Sequence, residues 1–385
     1  MNKTVDILND LIGFASVSRD PNRMLIDYVA EKLADCGVDP VIIPDESGKK
    51  ANLYAVTGPK IDGGVMLSGH TDVVPIDGQN WTKPAFSCTH EDGKYYGRGT
   101  ADMKGFVAAS ISSFIDATLL DLTSPLHLAL SYDEEIGCIG VRSLIDMMSN
   151  SPHKPSFCII GEPTEMGLAT GHKGKTAIRA ACQGREGHSA LAPMAMNALH
   201  LACDLVSEIR RMQDELAHDG TKDLDYNVPY TTMHVGRIEG GVQLNIVPNA
   251  AFIDFEIRNL AEDDPMALLD DLKERISPII KIAKQTAPEA NIQFTITNTY
   301  PGLNTPKEAE IVSFMKALTG NNTTIKVAFG TEGGLFSRDI GIPTVVCGPG
   351  SMDQGHKPDE FVSAEQLTQC DNMLAALNRR LVTGL

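Results

Sequence analysis

The chain has 385 residues, more than one hydrophobic core usually organises, so its length predicts two domains. Its 42% hydrophobic and 22% charged residues are typical of a globular protein, and no apolar run approaches the ~18–20 residues of a membrane helix. The formal net charge of −17 argues against a surface that binds nucleic acid phosphates, and it favours cationic substrates and divalent metals.

The N-terminus and the cysteines indicate the compartment. Residues 1–7 contain no basic segment followed by an apolar stretch, so they read as the start of an amphipathic helix and not as a signal peptide. The eight cysteines are scattered and include no C-x-x-C pair, which in a chain of this size indicates reduced thiols. We therefore predict a cytoplasmic protein that does not bind a membrane.

Helical and strand-like segments alternate in the first part of the chain. Apolar residues recur at intervals of three and four within residues 4–38, which predicts helices packed on a sheet. The next predicted elements are strands at 39–43, 52–56 and 64–69, a helix at 106–120, and strands at 126–132 and 156–160. This alternation predicts an α/β domain with a mixed, mainly parallel sheet flanked by helices.

The pattern changes between residues 176 and 301. The predicted elements there are a strand at 176–183, a helix at 193–216 with Pro193 near its start, strands at 231–237 and 249–258, a helix at 265–286, and a strand at 291–297. This β-α-β-β-α-β order is the ferredoxin-like pattern. The α/β pattern then resumes with a helix at 307–318, a loop at 329–334, a strand at 343–347 and a helix at 364–383. We therefore predict one domain formed by residues 1–175 and 302–385, interrupted by an inserted α+β domain at 176–301.

A histidine and an aspartate follow the buried strand at 64–69. His70 and Asp72 are two residues apart, so their side chains should share one face at the carboxyl end of that strand, where open α/β sheets bind ligands. An imidazole beside a carboxylate suggests a metal ligand whose ring is oriented by its neighbour. The alternative is a structural histidine in the core, whose hydrogen-bonding requirement the aspartate meets.

Further acidic and histidine residues follow other predicted strands and turns. With His70 they form a set of two imidazoles and three carboxylates: His70, Asp102, Glu135, Glu162 and His356. Asp102, seen alone, could instead cap the helix that follows it. As a set, these side chains suit two ions of the zinc type, with one carboxylate bridging. Glu134, next to a candidate ligand, could then act as a general base and acid.

Five segments together resemble the M20 family of dinuclear zinc amidohydrolases and peptidases, in the family's order. They are Ser68-Gly69-His70-Thr71-Asp72-Val73-Val74-Pro75, Gly97-Arg98-Gly99-Thr100-Ala101-Asp102-Met103-Lys104-Gly105, Asp133-Glu134-Glu135, Gly161-Glu162-Pro163-Thr164 and the late His356. The resemblance implies a zinc-peptidase-like catalytic domain with two Zn²⁺ per subunit, for which Co²⁺ could substitute. It places one ion on His70, Asp102 and Glu162, and the other on Asp102, Glu135 and His356, with Asp102 and a hydroxide bridging. It also implies that Glu134 is the catalytic acid and base, and that Asp72 is the residue that orients the ring of His70.

Within the family, two regions resemble the acetylornithine deacetylase subgroup. They are Gly161-Glu162-Pro163-Thr164 with His172-Lys173-Gly174, and Gly348-Pro349-Gly350-Ser351 with the residues from Gln354 to Glu360. The implied reaction is hydrolysis of N2-acetyl-L-ornithine to L-ornithine and acetate. Succinyl-diaminopimelate desuccinylase, aminoacylase or carboxypeptidase activity in the same family stays an alternative. A metal-dependent binding protein without catalysis is the alternative of another class.

The inserted domain carries three more candidates. Read alone, His188 is a surface histidine in a polar loop, and Arg258 is a solvated or ion-paired charge at a strand end. The resemblance implies instead that the inserted domain is a dimerisation and lid domain of a homodimer, and that His188 reaches across the interface to stabilise the oxyanion. It implies that Arg258 binds the substrate carboxylate, for which a guanidinium fork is suited, with Asn245 as a weaker candidate of the same kind.

Overall fold

The computed structural model describes residues 2–385. The chain forms two compact units. Unit 1 runs to Gly171 and resumes with Leu303–Leu385, and unit 2 is His172–Gly302. Unit 2 therefore begins four residues before the predicted start of the inserted domain and ends one residue after its predicted end.

Strands and helices are numbered here in chain order. The strands are β1 (Val41–Pro44), β2 (Ala51–Thr57), β3 (Val65–His70), β4 (Thr89–Glu91), β5 (Lys94–Tyr96), β6 (Leu126–Ser131), β7 (Phe157–Pro163), β8 (Ala169–His172), β9 (Lys175–Gln183), β10 (Gly187–His188), β11 (Thr232–Gly240), β12 (Ile246–Val247), β13 (Ala250–Arg258), β14 (Asn291–Tyr300), β15 (Leu303–Asn304), β16 (Ile325–Val327), β17 (Thr344–Gly348) and β18 (Phe361–Ser363). The α-helices are α1 (Lys3–Gly13), α2 (Arg23–Ala34), α3 (Gly105–Ala117), α4 (Val141–Ser149), α5 (Ala198–Asp219), α6 (Pro265–Thr286), α7 (Glu310–Thr319), α8 (Gly333–Ile340) and α9 (Ala364–Thr383).

Unit 1 is built on a nine-stranded mixed sheet. Its strand order is β1-β2-β6-β3-β7-β17-β8-β15, with β16 paired to β8. The central strands β6, β3, β7 and β17 are parallel, whereas β1, β2 and β8 pair antiparallel to their neighbours. Every residue of the four central strands is buried, which explains why their sequences are nearly continuous apolar runs. The predicted mixed, mainly parallel sheet flanked by helices is confirmed.

The helices of unit 1 bury apolar stripes against this sheet. In α1 the residues at helical spacing, Ile7, Leu8, Leu11 and Ile12, are all buried, and each contributes roughly 1.5–3 kcal/mol of hydrophobic stabilisation. The side chain of Asn2 accepts a hydrogen bond from the backbone N–H of Thr4 at 3.0 Å, which caps the helix N-terminus. Residues of α2, α3, α7 and α9 join the same hydrophobic core.

Unit 2 has the β-α-β-β-α-β order expected from the sequence. Strands β11, β13, β9 and β14 form an antiparallel sheet in that order, and α5 and α6 contact both the sheet and each other. The unit has its own hydrophobic core. Lys175, which opens β9, pairs directly with Tyr300, which closes β14. The two ends of the unit therefore lie side by side.

Three helix predictions need correction. Helix α5 begins at Ala198 and not near Pro193, because the Asn197 side chain caps it by accepting the N–H of Leu199 at 2.9 Å. Pro193 lies instead in a short 3₁₀ turn, Ser189–Met194. Helix α8 begins within the segment read as a loop, and α4 was not predicted because its nine residues are a short amphipathic stretch. Among residues 2–385, every helix is too short or too polar to cross a bilayer.

Candidate metal centre

The candidate ligands meet at the carboxyl edge of the central parallel strands of unit 1. Strand β3 ends at His70, and its neighbour β7 carries Glu162 next to its last residue. Strand β6, on the other side of β3, leads into the turn that carries Glu134 and Glu135. Because parallel strands point the same way, their ends bring these side chains together.

One group of three ligands consists of His70, Asp102 and Glu162. The Nε2 of His70 lies 3.1 Å from Oδ1 of Asp102 and 3.6 Å from Oε1 of Glu162. All three residues are buried. Burial alone would lower the pKa of His70, but the charge of Glu162 and hydrogen bonds to Asp102 and Asp72 outweigh it and raise that pKa well above its ordinary value. This group therefore attracts positive charge.

A second group consists of Asp102, Glu135 and His356. The Nε2 of His356 lies 3.1 Å from Oδ2 of Asp102 and 3.0 Å from Oε2 of Glu135. These two hydrogen bonds raise the pKa of His356 to about 10. Asp102 turns one carboxylate oxygen to each group, which is the arrangement of a bridging ligand.

The donor sets fit a pair of divalent cations. In each group the ligand atoms lie within 4.8 Å of one another. Zinc–ligand bonds of ~2.0–2.1 Å in a tetrahedron place neighbouring donors roughly 3.3 Å apart, close to the observed spacings. Burial also raises the pKa values of Glu135, to about 7, and of Glu162, so this cluster of carboxylates requires compensating positive charge.

Asp72 lies beside His70, as the spacing predicted, but most of its contacts are with other groups. The Nδ1 of His70 is 2.9 Å from the backbone carbonyl oxygen of Asp72 and 3.5 Å from its carboxylate. The carboxylate accepts the hydroxyl of Ser18 at 2.7 Å and the backbone N–H groups of Glu134 and Glu135 at 3.1 and 3.4 Å. Asp72 therefore orients the His70 ring through its main chain and the Glu134–Glu135 turn through its side chain.

Glu134 is half-buried and does not belong to either ligand group. Its Oε1 accepts a hydrogen bond from the thiol of Cys138 at 3.3 Å. Burial raises the pKa of Glu134 well above its ordinary value, and the charges of Glu135 and Glu332 add to the rise against the opposing effect of His70. A carboxylate with a raised pKa beside candidate metal ligands is suited to accept and return a proton.

Sequence reasoning missed three residues around the centre. Ser18 bonds Asp72 from 54 positions away, and Cys138 bonds Glu134. Glu332 is buried and accepts the hydroxyl of Ser131 at 2.5 Å, and burial raises its pKa to about 7. Only Cys138, four residues after Glu134 in a turn, carried a local signal that could have identified it.

The remaining candidates lie in unit 2. His188 is exposed and its Nδ1 accepts the N–H of Ala190 at 3.1 Å. Asn245 is also exposed and lies near His188, since its carbonyl oxygen accepts the N–H of Ser189 at 3.0 Å. Arg258, at the far end of β13, is half-buried and donates to Glu256 at 2.9 Å and to the Tyr300 hydroxyl at 3.3 Å.

Comparison with known proteins identifies the family. The model of peptidase family M20/M25/M40 matches residues 66–380. The chain belongs to this family. The acetylornithine deacetylase of Pasteurella multocida (strain Pm70) is 34% identical over 365 residues, which cover 94% of this chain and 92% of that protein. The acetylornithine deacetylase of Myxococcus xanthus is 31% identical over 380 residues, which cover 96% and 94%. This M20 family chain is therefore a metallohydrolase acting on amide bonds.

Solved structures agree with the M20 fold. An M20 family metallo-carboxypeptidase from Sulfolobus solfataricus matches with a TM-score of 0.79 at 20% identity, covering 100% of both chains. The Bacillus subtilis YXEP protein, described as a dinuclear metal binding peptidase from the M20 family, matches with a TM-score of 0.69 at 15% identity, covering 99% of this chain and 98% of that one. At these identities the likeness concerns the fold of the M20 enzyme alone.

Proposed function

We propose that this enzyme hydrolyses N2-acetyl-L-ornithine to L-ornithine and acetate. The observation that carries the hydrolytic part of the proposal is Asp102, whose two oxygens lie 3.1 Å from the histidines of two separate ligand groups. The proposed substrate is supported by relatives named acetylornithine deacetylase that match along more than nine-tenths of the chain.

Two zinc ions are the proposed cofactor, with cobalt able to replace them. His70 and Glu162 would hold one ion, Glu135 and His356 the other, and Asp102 both. Imidazole and carboxylate donors suit zinc and cobalt alike. When bound, such a pair supplies a water that is nucleophilic at neutral pH and polarises the amide carbonyl.

Glu134 is the proposed general acid and base. Its carboxylate accepts the proton that the attacking water loses and later delivers it to the nitrogen of the leaving amine. The raised pKa of Glu134 favours both steps, because a strongly acidic carboxyl would hold the proton too weakly to return it. Asp72 keeps this side chain in place by binding its backbone N–H.

Arg258 and His188 are proposed to bind the substrate carboxylate and the oxyanion, and their positions favour a homodimer. His188 pairs with Ile246, just before β13, whereas Arg258 ends β13. The steps from Ala250 to Arg258 span roughly 27 Å at ~3.4 Å per residue. An acyl amino acid is shorter than roughly 11 Å, the extended length of three residues. Strand β13 alone is more than twice as long as the substrate, which favours a His188 that serves the partner subunit.

A sheet edge in unit 2 supports this dimer further. Strand β11 is an edge of the unit 2 sheet and carries the exposed Ile238. Beside it lies a mostly apolar groove of about 570 Å³, formed with α5 and lined by Val206, Ile209 and Met233. A free edge next to exposed apolar surface is a natural site for association between copies. Asn245, close to His188, is the weaker proposed contact to the substrate.

The composition also fits the proposed substrate and the predicted cytoplasmic location. The net charge of −17 favours approach of a substrate that carries a free side-chain ammonium group. All eight cysteines are free thiols, as a reducing compartment requires.

A release assay tests the proposed substrate. The zinc-loaded protein is offered N2-acetyl-L-ornithine, N-succinyl-diaminopimelate and N-acetyl-methionine at one concentration. We expect a kcat/KM at least tenfold higher for acetylornithine. Preference for another acyl amino acid would keep the hydrolase and replace the substrate by that of a desuccinylase or aminoacylase. No turnover of any of them with two ions bound would favour a carboxypeptidase or a non-catalytic binding protein.

A further inference from the structure

A buried carboxylate outside both ligand groups holds the main chain of the shared ligand Asp102. Glu360 is 1% exposed, and its Oε1 accepts the backbone N–H groups of Ala101 and Asp102 at 2.9 and 3.0 Å. Its Oε2 accepts Nη1 of Arg98 at 2.6 Å. Two amides and one guanidinium on a single carboxylate leave the Asp102 backbone little freedom to shift.

Arg98 continues this chain of hydrogen bonds to a surface segment. It is also 1% exposed, and its Nη2 donates to Oε1 of Gln79 at 2.6 Å. Its guanidinium lies over the ring of Trp81, with 4.9 Å between the guanidinium carbon and the ring centroid. Arg98 therefore fixes the position of Gln79.

Gln79 completes the connection to the second ligand group. Its Nε2 donates to the backbone carbonyl oxygen of His356 at 2.9 Å. The orientation of the Gln79 amide is determined by chemistry, because Arg98 can only donate and a carbonyl oxygen can only accept. One continuous set of hydrogen bonds thus joins the main chains of Asp102 and His356.

His356 needs such support more than the other ligands do. Its backbone has φ +61°, in the left-handed region that a non-glycine residue adopts only with backbone strain. Its side chain is 44% exposed, while the other four ligand side chains are at most 7% exposed. His70 and Glu162, in contrast, belong to buried central strands. Contacts from outside the sheet must therefore hold His356 against Asp102.

We infer that Gln79, Arg98 and Glu360 are positioning residues for the Asp102–Glu135–His356 group. Gln79, which contacts the unshared ligand His356, sets the metal affinity of this group independently of the other group. The inference rests on the proposed two-metal site. A buried ion pair such as Arg98–Glu360 commonly adds little net stability, so fold stability alone does not explain this arrangement. The arrangement is explained if it holds Asp102 and His356 at the separation that one metal ion requires.

Gln79→Glu is the discriminating variant. It keeps the acceptor for Arg98, removes the N–H that binds the His356 carbonyl, and places a carboxylate oxygen against that carbonyl. Gln79→Ala removes all contacts of the side chain. Glu91→Gln is the matched control, because it removes only an exposed ion pair with Lys83 close by in the sequence.

Zinc titration against a chelator, with the metal-free melting temperature measured in parallel, tests the inference. We expect wild type and Glu91→Gln to bind two ions in two steps. Both Gln79 variants should weaken one step at least tenfold, leave the other within twofold, and keep the metal-free melting temperature within about 2 °C. Equal weakening of both steps, or two unchanged steps, would overturn the inference. A wild-type protein that binds a single ion would contradict the two-metal proposal and this inference together.

Discussion

The carboxylate of Asp72 accepts a hydrogen bond from the backbone N–H of Glu134, with 3.1 Å between Oδ1 and the nitrogen. Asp72 also contacts the ring of His70 through its carbonyl oxygen at 2.9 Å. One residue therefore fixes the orientation of a candidate metal ligand and of the proposed acid/base.

Asp72→Asn tests the role of the Asp72 side chain. The amide oxygen can still accept, but the NH₂ group cannot. Either the Glu134 amide loses its acceptor Oδ1, or the Ser18 hydroxyl and the Glu135 amide lose their acceptor Oδ2. We expect a loss of ~10–100-fold in zinc affinity or kcat, because the disturbed turn carries the candidate ligand Glu135 and the proposed acid/base Glu134. Ser18→Ala removes one donor alone and should cost less. Equal kcat and zinc affinity in Asp72→Asn and wild type would contradict the role.

Glu134→Ala should separate metal binding from catalysis. Glu134 lies outside both ligand groups, so the variant should retain two ions per chain by elemental analysis. We expect kcat to fall ~10²–10⁴-fold, the usual contribution of a general base. Near-normal kcat would show that another group takes the proton.

His188→Ala should lower kcat by ~10²–10³-fold if His188 stabilises the oxyanion, without changing the zinc content. Mixing this variant with Glu134→Ala tests the exchange between subunits. Heterodimers would then contain one site with both an intact Glu134 and an intact His188 from the partner, so activity should reappear on mixing. Mixtures that stay as inactive as their components would place His188 in its own subunit's site or outside any site.

His127 should make the protein less stable in acid. Its Nδ1 lies 2.7 Å from the Tyr54 hydroxyl and its Nε2 lies 3.1 Å from the carbonyl oxygen of Gly63, so the buried ring is satisfied when neutral. Burial lowers its pKa from 6.5 to about 4. The neutral His127 ring therefore makes its full contribution to the free energy of unfolding above pH ~6.5. That contribution decreases by up to about 3 kcal/mol as the pH falls toward 4.

His127→Gln should flatten this dependence. The difference in melting temperature between pH 7.5 and pH 5 should be smaller in the variant than in wild type. His200→Gln, which replaces an exposed histidine of α5, is the control and should leave that difference unchanged. An unaltered slope in His127→Gln would mean that other groups determine the acid sensitivity.

The sequence predicted the mixed, mainly parallel sheet and placed the candidate ligands at one edge of it, because both predictions depend on local patterns. Buried parallel strands read as apolar runs, and ligands follow their carboxyl ends. Asp102 was ambiguous when considered alone, since a lone aspartate before a helix is also typical of a helix cap.

The supporting residues could not be predicted in this way. Ser18, Gln79 and Glu360 are ordinary surface-type residues in the sequence, and their partners are 54 to 277 positions away. Their role depends on contacts between residues that are far apart in the sequence, and local patterns do not reveal such contacts. Helix α8 was read as a loop because its two opening glycines favour turns, and the structure instead buries both of them.

The pairing of Lys175 with Tyr300 means that unit 2 could be inserted or removed as one continuous segment. The chain leaves unit 1 and returns to it through two neighbouring antiparallel strands, and Gly174 and Gly302 are in contact where these strands begin and end. A gene rearrangement that gained or lost the whole unit would need to join only two adjacent points. Since all five candidate ligands belong to unit 1, such a rearrangement would leave the ligand set intact.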